Sequence, residues 1–319
     1  MKIAVGIDIG GTNTVWGFVS PSGEVIHKDS FPTSSCTKAI DFVDKMTVEI
    51  KYALAQNPNF EILGIGIGAP NGNYFKGTIE HPPNLSWKGI TPIRDMFQDN
   101  FDLPVILTND ANAAALGEMQ FGAAKGMKDF VVITLGTGLG SGFVANGSLL
   151  YGHDGFAGEL GHTIIEPDGR QCGCGRKGCL ETYVSASGIV KTAKLLLEQN
   201  NVDTSLKKYK EITSKVIAVC ASEGDELSLK IFDMTAKKLG LSLANTVVIN
   251  SPEAIILFGG LAKSGSLILE PTIRYFEEYC LNLFKKKVKI LLSEVPEAHA
   301  AVLGSAALIL KARNFYPFF

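Results

Sequence analysis

The stretch KIAVGIDIGGTNTVWGFV, Lys2 to Val19, has an echo at Phe130 to Val144, FVVITLGTGLGSGFV. Both runs are β-branched and are broken by a tight Gly/Thr turn, so each predicts strand, turn, strand. IDIGGT at 7–12 lies on ITLGTG at 133–138 with an offset of 126, and GFV at 17–19 lies on GFV at 142–144 with an offset of 125. One residue is therefore lost in the second turn. A period this long is a duplication at domain scale, not a solenoid repeat.

Working outward, Pro21-Ser22-Gly23 turns the chain into a third strand, and residues 37–56 carry apolar positions at helical spacing. EILGIGIGAP, from Glu61, is a buried strand, residues 71–89 form a loop, and a short helix is expected near 91–99. PVILTN is a further strand, leading into the helix DANAAALGEMQFG with Asn109 or Asp110 at its N-cap. Beyond residue 180, helices are expected at 183–199, 208–222, 225–249 and 266–284. EAIILFGG and VKILLSE are strands, and a closing helix begins near 298. Strands and helices alternate in each half, which gives an α/β class.

The 319 residues suggest two domains. A net charge of −2 gives no footprint for nucleic acid or an anionic membrane. The longest apolar run, AAVLGSAALIL from Ala300, is shorter than the roughly 20 residues of a membrane span. With no leader pattern at the start, a cytoplasmic location is expected, where disulfides are rare. Cys36, Cys220 and Cys280 then read as small buried hydrophobes. Cys172, Cys174 and Cys179, in CGCGRKGCLE, form a cluster with His162 ten residues upstream. Cys₃His is a closed structural zinc set, and a Gly-rich loop with free thiols is the alternative.

Four further features bear on chemistry. Gly10 and Gly11 expose backbone N–H groups in the first turn, and Thr12 and Asn13 add side-chain donors. Together they suit phosphate, as Thr137 and Ser141 do in the second turn, though plain structural turns use the same residues. Asp8 precedes the first turn, where a carboxylate either holds Mg²⁺ against phosphate or bonds its own turn. Asp110 ends a buried strand and opens a helix: it is either a plain cap or the carboxylate that accepts a hydroxyl proton in phosphoryl transfer. Asn109 could bind a neighbouring hydroxyl. Glu159, His162 and Glu181 suit hydrogen bonding to a polyol, held in place by the metal-pinned loop.

These residues resemble the ROK family of bacterial sugar kinases and repressors, most of all its glucokinase branch. The motifs are DIGGTN at 8–13, GAPNG at 68–72, PNLSWKG at 83–89, NDANAAALGE at 109–118, TLGTGLGSG at 134–142, GELGH at 158–162, CGCGRKGCLE at 172–181 and FGGLA at 258–262. The resemblance implies an actin/hexokinase-like (ribonuclease H-like) duplicated fold of two α/β lobes around a central interdomain cleft. One lobe comprises 1–110 plus 299–319, and the other comprises 111–298. ATP is implied as phosphoryl donor with Mg²⁺, a hexose as acceptor, and Asp110 as the base. Asn84, Asn109, Asp110, Glu159, His162 and Glu181 would contact the sugar. Asp8, Gly10, Gly11, Thr12, Asn13, Thr137 and Gly138 would serve the phosphates. Gly259, Gly260 and Leu261 would line the adenosine pocket, and a homodimer or homotetramer is implied. Repressor members carry a DNA-binding helix-turn-helix before the first strand. Here the strand pattern starts at residue 2, so no such domain and no nucleic-acid partner are expected.

Overall fold

The computed structural model describes residues 1–199 and 203–315; the last four residues of the expected 299–319 segment lie outside them. In the first half, β1 (Lys2–Ile9), β2 (Asn13–Val19) and β3 (Val25–Pro32) precede α1 (Ala39–Ala55) and β4 (Glu61–Gly68). Then come β5 (Gly72–Asn73), β6 (Thr78–Glu80), β7 (Ile90–Thr91), α2 (Ile93–Gln98), β8 (Val105–Thr108) and α3 (Asp110–Phe121). The second half contains β9 (Phe130–Leu135), β10 (Leu139–Ala145), β11 (Ser148–Leu149), α4 (Ala186–Gln199), α5 (Ser214–Ser222) and α6 (Glu226–Asn250). It continues with β12 (Ala254–Phe258), α7 (Ser266–Tyr279), β13 (Lys289–Leu292) and the closing α8 (Glu297–Phe315).

The duplication is real at the level of topology. One five-stranded sheet runs β3-β2-β1-β4-β8 and the other β11-β10-β9-β12-β13, the same order of strands in each. β1 pairs antiparallel with β2 and parallel with β4, just as β9 pairs antiparallel with β10 and parallel with β12. The lost residue is visible in register. The last pair of the first hairpin is Ile9–Thr14 and that of the second is Leu135–Leu139, so a turn over 10–13 becomes a shorter one over 136–138.

The chain divides into two compact units: residues 1–126, 149–157 and 294–319, and residues 127–148 and 158–293. The resemblance implies a second lobe that takes in everything from 111 to 298. The structure instead sets α3 and the segment 149–157 in the first unit. Close packing explains α3, because a Cβ at Gly304 of α8 would sit 2.8 Å from the Ala113 carbonyl oxygen. The same helix lies against the first sheet at glycines. A Cβ at Gly66 would meet the Ser305 carbonyl oxygen at 1.9 Å and one at Gly6 the Val302 carbonyl oxygen at 2.2 Å. On the other face, Phe42, Val43, Met46 and Ile50 of α1 bury against Ile3, Val5, Ile7 and Ile9. In the second unit, Val131, Ile133, Ile255 and Leu257 bury with Leu239, Leu243 and Val247 of α6.

Three local readings are corrected. Residues 71–89, expected as loop, contain β5 and β6, which with β7 make a small antiparallel sheet. Helix α5 starts at Ser214 rather than 208, because the Thr213 hydroxyl accepts from the Val216 N–H (3.2 Å) and fixes the N-terminus there. Helix α7 stops at Tyr279 rather than 284, where Cys280 turns extended and its N–H closes on the Phe276 carbonyl oxygen at 2.8 Å. Cys36, Cys220 and Cys280 are buried and free, as expected. Among the described residues no helix is long and apolar enough to cross a membrane.

Candidate functional site

In the first unit, Asp8 lies at the C-terminal end of β1 and Asp110 opens α3 at the end of β8. Carboxyl ends of strands are where α/β sheets present ligand-binding groups. The structure removes one of the two roles for Asp110, that of plain cap. Asn109 is the N-cap, its Oδ1 accepting from the Asn112 N–H at 2.7 Å. Asp110 is therefore not the cap. Its Oδ1 accepts from the adjacent Ala111 N–H at 2.8 Å, and the residue keeps an exposed surface. Capping also commits the Asn109 oxygen and leaves its Nδ2 amide as the group that can donate to a ligand.

Asp110 is close enough to Asp8 for its charge to be felt there. Burial first, and the Asp110 carboxylate second, push the Asp8 carboxyl up to about 7. Desolvation by the protein around it raises the Asp110 carboxyl as well, offset in part by the Ala111 N–H and its own backbone N–H. Two carboxylates that resist ionising together suit a hard divalent cation, and Mg²⁺ with oxygen ligands fits Asp8.

The first turn differs from expectation in its donors. The Gly10 N–H is closed on the Asn13 carbonyl oxygen at 3.0 Å, so Gly10 does not offer it to a ligand. Thr33 pins the turn twice: its N–H donates to the Thr12 carbonyl oxygen (2.9 Å) and its hydroxyl to the Gly10 carbonyl oxygen (2.7 Å). Gly11, Thr12 and Asn13 remain exposed. Asn84 is exposed on the neighbouring 81–89 loop, directly against Gly11. Asn71, just before β5, does not present a free amide. Its Nδ2 donates to the Glu80 and His81 carbonyl oxygens at 3.0 and 3.2 Å.

In the second unit, the Gly136 N–H is likewise closed, on the Gly138 carbonyl oxygen at 3.0 Å. Ser141 does not act as an open donor: its hydroxyl donates to the Gly158 carbonyl oxygen and accepts from the Leu160 N–H. Glu181 is set against this turn, with Oε2 accepting from the Leu139 N–H at 3.1 Å. A Cβ at Gly138 would lie 2.3 Å from the same oxygen, so a side chain there would displace the Glu181 carboxylate. Gly259 and Gly260 follow β12, and the Leu261 N–H reaches the Leu135 carbonyl oxygen at 3.0 Å, just before the turn. The Leu261 side chain is packed into the core, which leaves only its backbone to line a pocket. Glu159 is exposed, and its carbonyl oxygen accepts from the His162 N–H at 3.0 Å.

The cysteine cluster converges. The ligand atoms of His162, Cys172, Cys174 and Cys179 all lie within 4.8 Å of one another. The Cys174 and Cys179 sulfurs are 3.6 Å apart, and the Cys172 sulfur is 3.7 Å from His162 Nδ1. A sulfur separation of 3.6 Å excludes a disulfide, which needs about 2.05 Å. It matches the edge of a tetrahedron with metal–sulfur bonds of about 2.3 Å, an edge of roughly 3.8 Å. Burial, with hydrogen bonding to Cys174 and Cys172, pushes the Cys179 thiol up to about 12. Burial also acts to raise Cys174, but the Arg176 backbone and side chain outweigh it and bring that thiol down to about 6. Three sulfurs this close do not all ionise without a cation among them, and zinc fits the donor set. Gly178 makes the fold of this loop possible: φ is +76° and a Cβ would meet the Glu166 carbonyl oxygen at 1.7 Å.

The chain is similar to known proteins over nearly its whole length. The ROK family model matches residues 4–312. A protein named glucokinase from Halalkalibacterium halodurans is 35% identical, over 97% of this chain and 96% of its own. A xylose repressor of Caldicellulosiruptor bescii is 36% identical over 80% of this chain and 64% of its own. Among solved structures, a ROK family glucokinase from Streptomyces griseus in complex with glucose and AMPPNP superposes with a TM-score of 0.80. It is 32% identical over 96% of this chain and 98% of its own.

Proposed function

The chain belongs to the ROK family, and from that membership we propose that it phosphorylates a hexose at the 6-hydroxyl using ATP, with glucose the preferred acceptor. The observation that carries the reading is the division of labour at the start of α3. Asn109 caps the helix, and Asp110 keeps an exposed surface at a strand's C-terminal end. A structural aspartate would be expected to do the capping itself.

In this reading Asp110 orients the 6-hydroxyl and accepts its proton as the γ-phosphoryl group is transferred. Its raised pKa makes it a better base than a free carboxylate. The Asn109 amide and Asn84 hold neighbouring hydroxyls, and Glu159, His162 and Glu181 hold the rest of the sugar. The N–H groups of Gly11 and Thr12, and those of Thr137 and Gly138, receive phosphate oxygens. Gly259, Gly260 and the Leu261 backbone border the adenosine. Mg²⁺ at Asp8 would neutralise phosphate charge during transfer. Zinc on His162, Cys172, Cys174 and Cys179 would hold the 159–181 segment in shape. With four protein ligands it leaves no coordination position for water and takes no part in the chemistry.

The test is ADP release with Mg-ATP across glucose, mannose, fructose, glucosamine, N-acetylglucosamine and N-acetylmannosamine. Turnover on glucose above the others supports the assignment, and preference for another member reassigns the substrate. The similarity to a xylose repressor favours a second reading, a sugar-binding regulator without turnover. Sugar binding with no ADP release from any member of the panel would establish that reading instead.

A further inference from the structure

Gly11 is not required by backbone conformation, because it is absent from the glycines with positive φ. Space requires it. A Cβ at Gly11 would lie 2.6 Å from the Asn84 Cβ and 3.0 Å from the Asn84 carbonyl oxygen. Carbon atoms pack at about 3.5–4.0 Å, so a methyl group here would force the turn and the Asn84 loop apart by about 1 Å.

Neither side can yield cheaply. The turn is fixed by the Gly10–Asn13 hydrogen bond and by both Thr33 contacts. On the other side, the His81 N–H closes the 81–89 loop on the Gly89 carbonyl oxygen at 2.7 Å. The Lys88 ammonium draws in the Pro82 and Pro83 carbonyl oxygens, each at 3.1 Å. Leu85 and Trp87 then anchor it in the first core, with Trp87 against Phe42 at a ring separation of 5.3 Å. Asn84 thus sits on a stiff loop in van der Waals contact with a stiff turn.

We infer that Gly11 is a positioning residue for Asn84: its missing side chain sets where the Asn84 loop stands, so that the phosphate turn and the sugar loop of the first unit move as one piece. The ligand assigned to Asn84 rests on the hexose-kinase reading; the contact itself does not. A displacement of about 1 Å at a substrate-orienting group is enough to cost large factors in binding and turnover. Gly11 therefore reports on the sugar as well as on phosphate, because the atoms that a side chain here would meet first are those of Asn84.

The experiment compares Gly11→Ala alone, with Asn84→Ala, and with Asn84→Gly. Two readouts are taken: glucose affinity by calorimetry without nucleotide, and ¹⁹F NMR of protein labelled with 5-fluorotryptophan. The chain has two tryptophans, Trp16 and Trp87, which give separate resonances. Gly11→Ala is expected to weaken glucose about tenfold or more and to shift the Trp87 resonance. Asn84→Ala keeps the obstructing Cβ, so the double variant with it stays shifted. Asn84→Gly removes that atom and leaves only the 3.0 Å approach to the Asn84 carbonyl oxygen, so its double variant moves the Trp87 resonance most of the way back to that of Asn84→Gly alone. An unchanged Trp87 resonance and glucose affinity within twofold in Gly11→Ala, with only the KM for ATP altered, would overturn the inference. If the unmodified protein binds no glucose, the kinase assignment fails, and the Trp87 comparison still decides the contact.

Discussion

The two five-stranded sheets share strand order and hairpin pairing, yet the same place in each carries different chemistry. Asp8 of β1 corresponds to Thr134 of β9, each one residue before the last residue of its strand. Thr134 satisfies itself locally, its hydroxyl accepting from the Gly140 N–H at 3.1 Å. Asp8 instead stands near a second carboxylate and is pushed up to about 7 by burial and by that neighbour. The acid pair belongs to the first unit, and the cysteine cluster and Glu181 to the second. Duplication copied a backbone scaffold, while the acid pair was placed on one copy and the cysteine cluster on the other.

The largest break in this asymmetry is Asp110→Asn. Asparagine keeps an oxygen for the Ala111 N–H, and Asn109 keeps the cap, so stability should stay within about 0.5 kcal/mol. kcat should fall by about 10²–10⁴-fold, the usual contribution of a positioned base. Assays of ADP release and of thermal unfolding read the two together. Near-normal turnover in a folded variant would remove Asp110 from the chemistry.

The second unit's share is probed next. Elemental analysis of the purified protein should find bound zinc, and Cys179→Ser should lose it and unfold at a lower temperature. A fall in kcat/KM of about 10–100-fold is expected, the scale seen when groups supporting a metal site are removed. Zinc-free wild-type protein with unchanged melting and activity would reduce the cluster to a Gly-rich loop.

Much of this was legible in the sequence because it is local. The offsets of 126 and 125 between the two hairpins already encoded the shorter second turn, and the N-terminal strands, α1 and α3 follow from apolar spacing and a cap. The cysteine cluster was legible because its ligands lie close together in sequence. What escaped is non-local or too short to have a period. β5 to β7 are two or three residues each, below the length at which alternation is visible. The return of residues 149–157 to the first unit carries no composition signal. That Gly10 spends its N–H inside the turn is a detail of a four-residue turn over 10–13, and that Gly11 is empty to make room for Asn84 depends on a partner far away in sequence.

A smaller effect sharpens the start of α3. Asn109→Ala loses the cap and should cost about 1 kcal/mol, whereas Asn109→Ser keeps a capping oxygen but loses the Nδ2 donor. If the amide serves the sugar, the serine variant melts near wild type yet shows a raised KM for sugar. Equal KM values would leave Asn109 a cap and nothing more.

The smallest effect tests the matched pair directly, in protein stripped of divalent cation. The Asp8 carboxyl has a folded pKa of about 7 against an ordinary 3.8. Between those values the folded state holds a proton that the unfolded state has released. Stability then falls as pH rises through the window and is lowest once Asp8 ionises above about 7. Asp8 is only half-buried, so solvent screening keeps the change to the order of 1 kcal/mol or less. Asp8→Asn removes this slope, and its melting temperature at pH 8 should exceed that of wild type by a few degrees at most. Thr134→Val, at the corresponding place in the second sheet, carries no titrating group and should shift melting equally at pH 5 and pH 8. Mg²⁺ should flatten the wild-type slope, because a cation at Asp8 favours the charged carboxylate. If both variants show the same pH dependence as wild type, the charge asymmetry between the two sheets does not reside at Asp8.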